Sequence, residues 1–197
     1  MAIKRNGRRR SMVSVGFICE GDTERIIIES GSFKLLLASI NLQFIKAINA
    51  TGNGNLLPKN IIEFTRILSE YGTEKIIILT DLDKDACIIS TKRRVDSDSD
   101  YITVVAVKSI EAWFLADSIT LSSILKEKFT YEFPEEAPQP RDVLNQLFLK
   151  KTGRGIGPSK PVFAQKMINH GFSVENAAAH NNCRSATYFF NKLKSLA

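Results

Sequence analysis

Apolar runs that alternate with helical patterns as far as residue 117 predict an α/β fold: an open, mainly parallel sheet flanked by helices, followed by a helical C-terminal appendage. Three observations carry this expectation. The stretches "SVGFIC" and "IIILT" are short, continuous and rich in β-branched or aromatic residues, the mark of strands buried on both faces. Both run directly into acidic residues. After Asp117 no strand signal of any strength returns.

Met12 to Cys19 reads as the first strand, ended by Gly21, with Asp22 or Thr23 as cap of a helix reaching to about Ser39. "LQFIKAINA" reads as the second strand and "TGNGN" as its turn, where "GNG" suits a turn better than a phosphate cradle. Pro58 suits the first position of a helix that places Ile61, Phe64, Thr65 and Leu68 on one face and ends near Gly72. "EKIIILTDLDKD" is a buried strand that stops in acids; a loop or short helix then leads to "YITVVAV" and to a helix in "KSIEAWFLAD" with Ser109 near its cap. Helices are expected at roughly 119–128, 140–151, 161–170 and 182–196, separated by "YEFPEEAPQP" and "KTGRGIGPSK". The chain therefore divides into a basic tail at 1–11, an α/β core at 12–117 and a helical subdomain at 118–197, with no internal repeat. "DSDSD" at 96–100 is a solvated acidic loop by composition.

A chain of 197 residues, 44% hydrophobic and 24% charged, is long enough for one sizeable core. Its 27 Lys and Arg against 21 Asp and Glu give a net charge of +6. The basic residues cluster, at Lys4, Arg5, Arg8, Arg9 and Arg10, at Lys92, Arg93 and Arg94, and at Lys150, Lys151 and Arg154, which points to a polyanion and specifically to a sugar-phosphate backbone held without sequence readout. No apolar run of signal-peptide or membrane-spanning length is present, so no membrane is expected. Cysteines at 19, 87 and 183 match no zinc or redox spacing and read as three reduced thiols in a cytoplasmic protein.

The chemistry is expected where strands end. In "CEGDTE", Glu20 stands at the carboxyl end of the first strand and Glu24 in the first helical turn, so both face the crevice in which open α/β sheets bind ligands. Taken alone, the pair also fits helix-dipole compensation. In "DLDKD", Asp81 and Asp83 alternate along an extended segment and share a face toward the same crevice; Asp85 fits the start of the next helix as well as it fits a ligand. Glu111 follows the next strand. Carboxylates gathered in this way repel and take up protons unless hard divalent cations lie between them, and an oxygen-only donor set favours Mg²⁺. His170 and His180 lie too far downstream to suggest zinc. "TGRGIGPSK" is not a phosphate-binding P-loop, because Gly-Lys-Ser/Thr is absent and a helix rather than a strand precedes it.

The glycine-flanked Glu of "CEGDTE", the Asp-x-Asp of "TDLDKD" and the αβ order between them resemble the Toprim fold of topoisomerases, bacterial primases, recombination factors and small nucleases, over about residues 12–117. With "SIEAWFLAD" and the lysine of "GPSKPVFAQKMI", the chain resembles the OLD-type Toprim nucleases and small prokaryotic Toprim-like proteins found in phage-defence or mobile-element contexts. The resemblance implies a nuclease that hydrolyses phosphodiester bonds of DNA or RNA with two Mg²⁺ ions, for which Mn²⁺ can substitute. It makes Glu20, Glu24, Asp81, Asp83 and Glu111 metal ligands or the general base, with Glu20 and Lys160 as the catalytic residues and Lys160 the counter-charge of the transition state. A partner ATPase or other protein is implied too, since the ATPase domain of the larger OLD proteins is not found in this chain. Two other functions fit the same residues: a ribosomal-RNA maturase with one folded substrate, and a Toprim-like module that binds nucleic acid or protein without cutting.

Overall fold

The computed structural model describes residues 12–95 and 101–197. Four parallel strands, β1 (Val13–Cys19), β2 (Leu42–Asn49), β3 (Lys75–Asp81) and β4 (Tyr101–Ala106), form one sheet in the order β2-β1-β3-β4. Among the described residues ten α-helices accompany them: α1 (Asp22–Glu29), α2 (Gly31–Ser39), α3 (Pro58–Glu70), α4 (Ile88–Val95), α5 (Glu111–Ala116), α6 (Ser118–Leu125), α7 (Pro140–Thr152), α8 (Lys160–Asn169), α9 (Val174–Ala178) and α10 (Arg184–Ser195). The predicted α/β class holds, and a parallel four-stranded sheet flanked by helices is consistent with a Toprim-like arrangement. The strand order reverses at the β1–β3 pair, which opens a crevice at the carboxyl ends of those two strands.

The period of two along each strand divides the apolar residues between two cores. Val15, Phe17 and Cys19 of β1, Ile77 and Leu79 of β3, and Val104 and Ala106 of β4 enter the larger core, while Ile18, Ile76 and Ile78 enter the smaller one beneath α3 and α4. The larger core extends without a break into the C-terminal helices. Trp113 stacks on Phe189 of α10 at 5.5 Å, Phe189 on Phe33 of α2 at 5.9 Å, and Phe114 packs edge-on against Phe172 at 4.8 Å. The larger core thus takes residues from both sides of position 118, the expected start of the helical subdomain. Gly16 permits close packing on the other face: a Cβ there would stand 2.9 Å from the Thr73 side chain and 3.0 Å from that of Leu68.

Several boundaries differ from expectation for local reasons. The helix expected to run to Ser39 is two helices, because Ser30 donates through Oγ to Ile27 O (2.7 Å) and accepts from Phe33 N (3.2 Å), ending α1 and capping α2. Gly21, not Asp22 or Thr23, caps α1; Glu24 reaches back so that its Oε2 accepts from Gly21 N at 2.9 Å. Ile110 rather than Ser109 precedes α5, which is only six residues long because Asp117 turns its side chain to cap α6. The short α9, capped by Ser173, has too few residues to show periodicity in the sequence. The acidic loop at 96–100 and the tail at 1–11, including Arg8, Arg9 and Arg10, lie outside the described residues.

Candidate active site

Glu20 follows β1 and Asp81 ends β3, and the two strands are hydrogen-bonded neighbours, so both acids stand at one edge of the sheet. Glu20 Oε2 accepts from the backbone N of Asp81 (3.0 Å) and from Thr80 Oγ1 (2.5 Å). Asp81 Oδ1 in turn accepts from Ile110 N at 2.8 Å, where the chain leaves β4 for α5. Glu24, one turn into α1, is held through Oε2 by Gly21 N. Each of these carboxylates therefore has one oxygen anchored by the main chain. Among the described residues no hydrogen bond reaches the second oxygen of any of the three.

Glu111 is the most exceptional of the set. It is 1% exposed, and neither carboxylate oxygen has a hydrogen-bond partner among the described residues. Lys160 forms an ion pair with it, Nζ standing 3.4 Å from Oε1, without the alignment of a hydrogen bond. Lys160 opens α8 and is half exposed, so the ammonium sits at the mouth of the crevice while Glu111 lies at its floor.

The ionisation of the cluster reflects this crowding. Burial, with the charges of Glu20 and Glu111, pushes Glu24 up to about 7 from 4.5, against the pull of its backbone hydrogen bonds. Asp81 is held well above the usual carboxylate range by burial first and then by Glu24, Glu20 and Glu111. Lys160 loses some hydration, yet Glu111 and Asp81 hold its ammonium above the ordinary lysine range. The charges of Glu20 and Glu111 thus act on both Glu24 and Asp81, and Lys160 stands beside them as counter-charge. The oxygens that the main-chain anchoring leaves free and the two oxygens of Glu111 are donors of the kind a hard cation takes. As the side chains stand, no three or more carboxylate, imidazole or thiol groups among the described residues are gathered closely enough to hold a metal ion.

Asp83 takes a different position from the one its spacing predicts. β3 ends at Asp81, and Asp83 has φ +48°, so the strand alternation does not carry on to it. It is fastened by its backbone N to Lys108 O (3.1 Å) and by Oδ2 to Asn53 Nδ2 (3.0 Å), which gives the "GNG" turn a supporting role. Asp83 nevertheless lines the same open cleft, of about 240 Å³, as Glu111 and Lys160. Asp85 is paired with Arg94 at 3.0 Å.

No protein-family model matches the chain, and no curated protein sequence matches it. Among solved structures it is similar to the C-terminal region of the OLD protein of Xanthomonas campestris pv. campestris, with 16% identity and a TM-score of 0.42 over 92% of this chain and 96% of that one. A second structure of the same region gives 15% identity and a TM-score of 0.38 over the same shares. A likeness of this degree carries nothing to the chemistry of this chain.

The basic residues expected to hold a polyanion fall into separate places. Arg94 is engaged by Asp85 and Asn53 O, while Lys92 and Arg93 line a groove beside β4. Lys150 and Lys151 end α7, and Lys151 pairs with Glu127 at 2.6 Å. Arg154 lies just beyond that helix. At 1.5 Å per residue, Lys150 is about 14 Å along the axis from Arg141, the α7 residue that does line the cleft. Beside Lys160, the cations lining the cleft are Lys84, Lys108 and Arg141. Lys84 and Lys108 were legible as neighbours of strand ends. Arg141 had no local signal; it reaches the site because its Nη2 donates to Gly157 O (2.8 Å) and Pro158 O (2.7 Å), fastening the loop that precedes Lys160. Thr80, which fixes Glu20, was hidden inside an apolar strand. Among the described residues no helix is long and apolar enough to cross a membrane, and Cys19, Cys87 and Cys183 form no disulfide.

Proposed function

We propose that the chain is a divalent-metal-dependent phosphodiesterase acting on nucleic acid, with Mg²⁺ or Mn²⁺ as cofactor. The observation that carries this is Glu111: a fully buried carboxylate whose oxygens have no hydrogen-bond partner among the described residues, beside three further acids and Lys160, at the carboxyl edge of a parallel sheet. A buried anion costs several kcal/mol unless a counter-charge is supplied, and Lys160 offsets only one charge of the cluster. Glu20, Glu24, Asp81 and Glu111 would hold the metal through their free oxygens, with Asp83 reaching in from the cleft wall. Two ions held there would neutralise charge on the attacking and leaving oxygens of an in-line displacement at phosphorus.

The protein's own part is orientation and charge. The main-chain N–H groups of Gly21, Asp81 and Ile110 each fix one oxygen, of Glu24, Glu20 and Asp81 respectively, and leave the other to face a ligand. Lys160 stands where its ammonium meets phosphoryl oxygens entering the cleft, and Lys84, Lys108 and Arg141 extend that positive rim. One observation favours a second reading, a cleft that binds nucleic acid without cutting it: among the described residues no three ligand groups are gathered as they stand.

Asp81→Asn separates the two. It keeps the acceptor for Ile110 N while removing a charge and a strong ligand. Turnover of supercoiled, linear, single-stranded or folded RNA substrates with Mg²⁺ is expected to fall about a hundredfold or more, with the fold intact by circular dichroism. A wild type that binds all of these and cuts none would make the binding module the better description, and a variant as active as a cutting wild type would show that the acidic cluster is not the catalytic centre.

A further inference from the structure

A second cavity, of about 400 Å³, lies between α4, β4 and α10. Its walls are apolar, from Ile88, Val105 and Val107, and the Tyr188 ring forms one side. Lys92, Arg184 and Glu135 supply the charged groups. Glu135 is fixed: its Oε1 accepts from Ser185 N (2.7 Å) and Ser185 Oγ (2.5 Å), and among the described residues no hydrogen bond reaches Oε2. Ser185 Oγ also receives Trp113 Nε1 at 2.8 Å, so the carboxylate is tied to the main core. Lys92 Nζ stands 4.7 Å from the centre of the Tyr188 ring and 3.3 Å from its hydroxyl.

The cavity adjoins the acidic cleft. Val107 lines the one and the next residue, Lys108, lines the other. Its volume lies within the range of small-molecule sites, and it combines a flat aromatic ring, an anchored acceptor and two cations. A planar, weakly polar ring with an N–H donor and a neighbouring anion satisfies all three. Those are the parts of a nucleotide.

We infer that this cavity receives one unstacked base of a single-stranded nucleic acid whose backbone runs into the acidic cleft. The inference rests on the nucleic-acid reading above. The base lies on the Tyr188 ring, an N–H of the base donates to Glu135 Oε2, and the adjoining phosphate pairs with Arg184 and with Lys92, whose ammonium exchanges the ring for the phosphate. Stacking on an aromatic side chain is sequence-tolerant, so the pocket selects for an unpaired base rather than for a sequence.

The test compares two fluorescein-labelled single strands of twelve nucleotides and equal charge, one with bases and one abasic throughout, by anisotropy in EDTA, where no metal-dependent cleavage runs. The wild type is expected to bind the base-bearing strand more tightly. Tyr188→Ala is expected to lose about tenfold or more on that strand and nothing on the abasic one, which also reports that the variant is folded; Tyr188→Phe keeps the ring and the affinity. Equal wild-type affinity for both strands, or an equal loss on both in Tyr188→Ala, overturns the base pocket and leaves the nucleic-acid reading standing, as does binding of duplex alone. A wild type that binds no nucleic acid of any form overturns both.

Discussion

Glu24 offers the most direct physical test of the acidic site, because it requires no substrate. Its carboxyl is raised from 4.5 to about 7 in the folded chain, chiefly by burial. The folded state thus binds that proton more tightly than the unfolded state does. The resulting stabilisation is complete below 4.5 and is lost as pH rises through 7. At 1.36 kcal/mol per pKa unit, roughly 3 kcal/mol separates the two limits, and Asp81, raised for the same reasons, acts in the same direction. About 2.5 kcal/mol of that span falls between pH 5 and pH 8, which for a chain of this size corresponds to a fall in melting temperature of about 5–10 °C. Thermal unfolding followed by circular dichroism in EDTA reads it. Glu24→Gln keeps an acceptor for Gly21 N and removes the titration, so at pH 8 the metal-free variant should melt above the wild type and respond less to pH. Millimolar Mg²⁺ at pH 8 should raise the wild type toward its acid value, since a cation that binds only the folded state stabilises it. A metal-free wild type whose melting temperature is flat or rises from pH 5 to pH 8 would refute the account of the buried cluster.

Lys160→Met removes the ammonium beside Glu111 and keeps an unbranched side chain; turnover should fall about tenfold to a hundredfold while Mg²⁺-dependent thermal stabilisation persists, which separates a charge acting on phosphate from a residue that merely builds the metal site. Asp117→Ala tests the fold rather than the chemistry. Buried Asp117 accepts from Thr120 N (2.9 Å), Thr120 Oγ1 (2.8 Å), Ser173 N (3.2 Å) and Asn176 Nδ2 (3.3 Å), joining α6 to α9, so its loss should cost about 2–5 kcal/mol in urea unfolding; a cost below 1 kcal/mol would mean that the hub is dispensable.

The strands and most helices were legible because their signals are local. "VSVGFIC" and "KIIILTD" declare buried strands by composition, and Pro58 and Pro140 mark helix starts. The places that misled are those where one side chain serves two elements. Ser30 ends one helix and begins the next, and Asp117 leaves α5 to cap α6; neither choice shows in hydrophobic periodicity.

The sequence by itself determined that acids stand at the ends of β1 and β3, because strand termini follow from where apolar runs stop. Tertiary structure decided what those acids are. Strand order placed Glu20 beside Asp81, a main-chain N–H from Ile110 turned Asp81 inward, and burial of Glu111 with no hydrogen-bond partner among the described residues came from helix α5 being enclosed on every side. It also separated Asp83 from the alternation that its spacing suggested, and it brought Arg141 and Lys160 to the cleft. Those outcomes depend on contacts across tens of residues, and the energies of burial and charge coupling that raise Glu24 and Asp81 exist only once the chain has excluded water from between them.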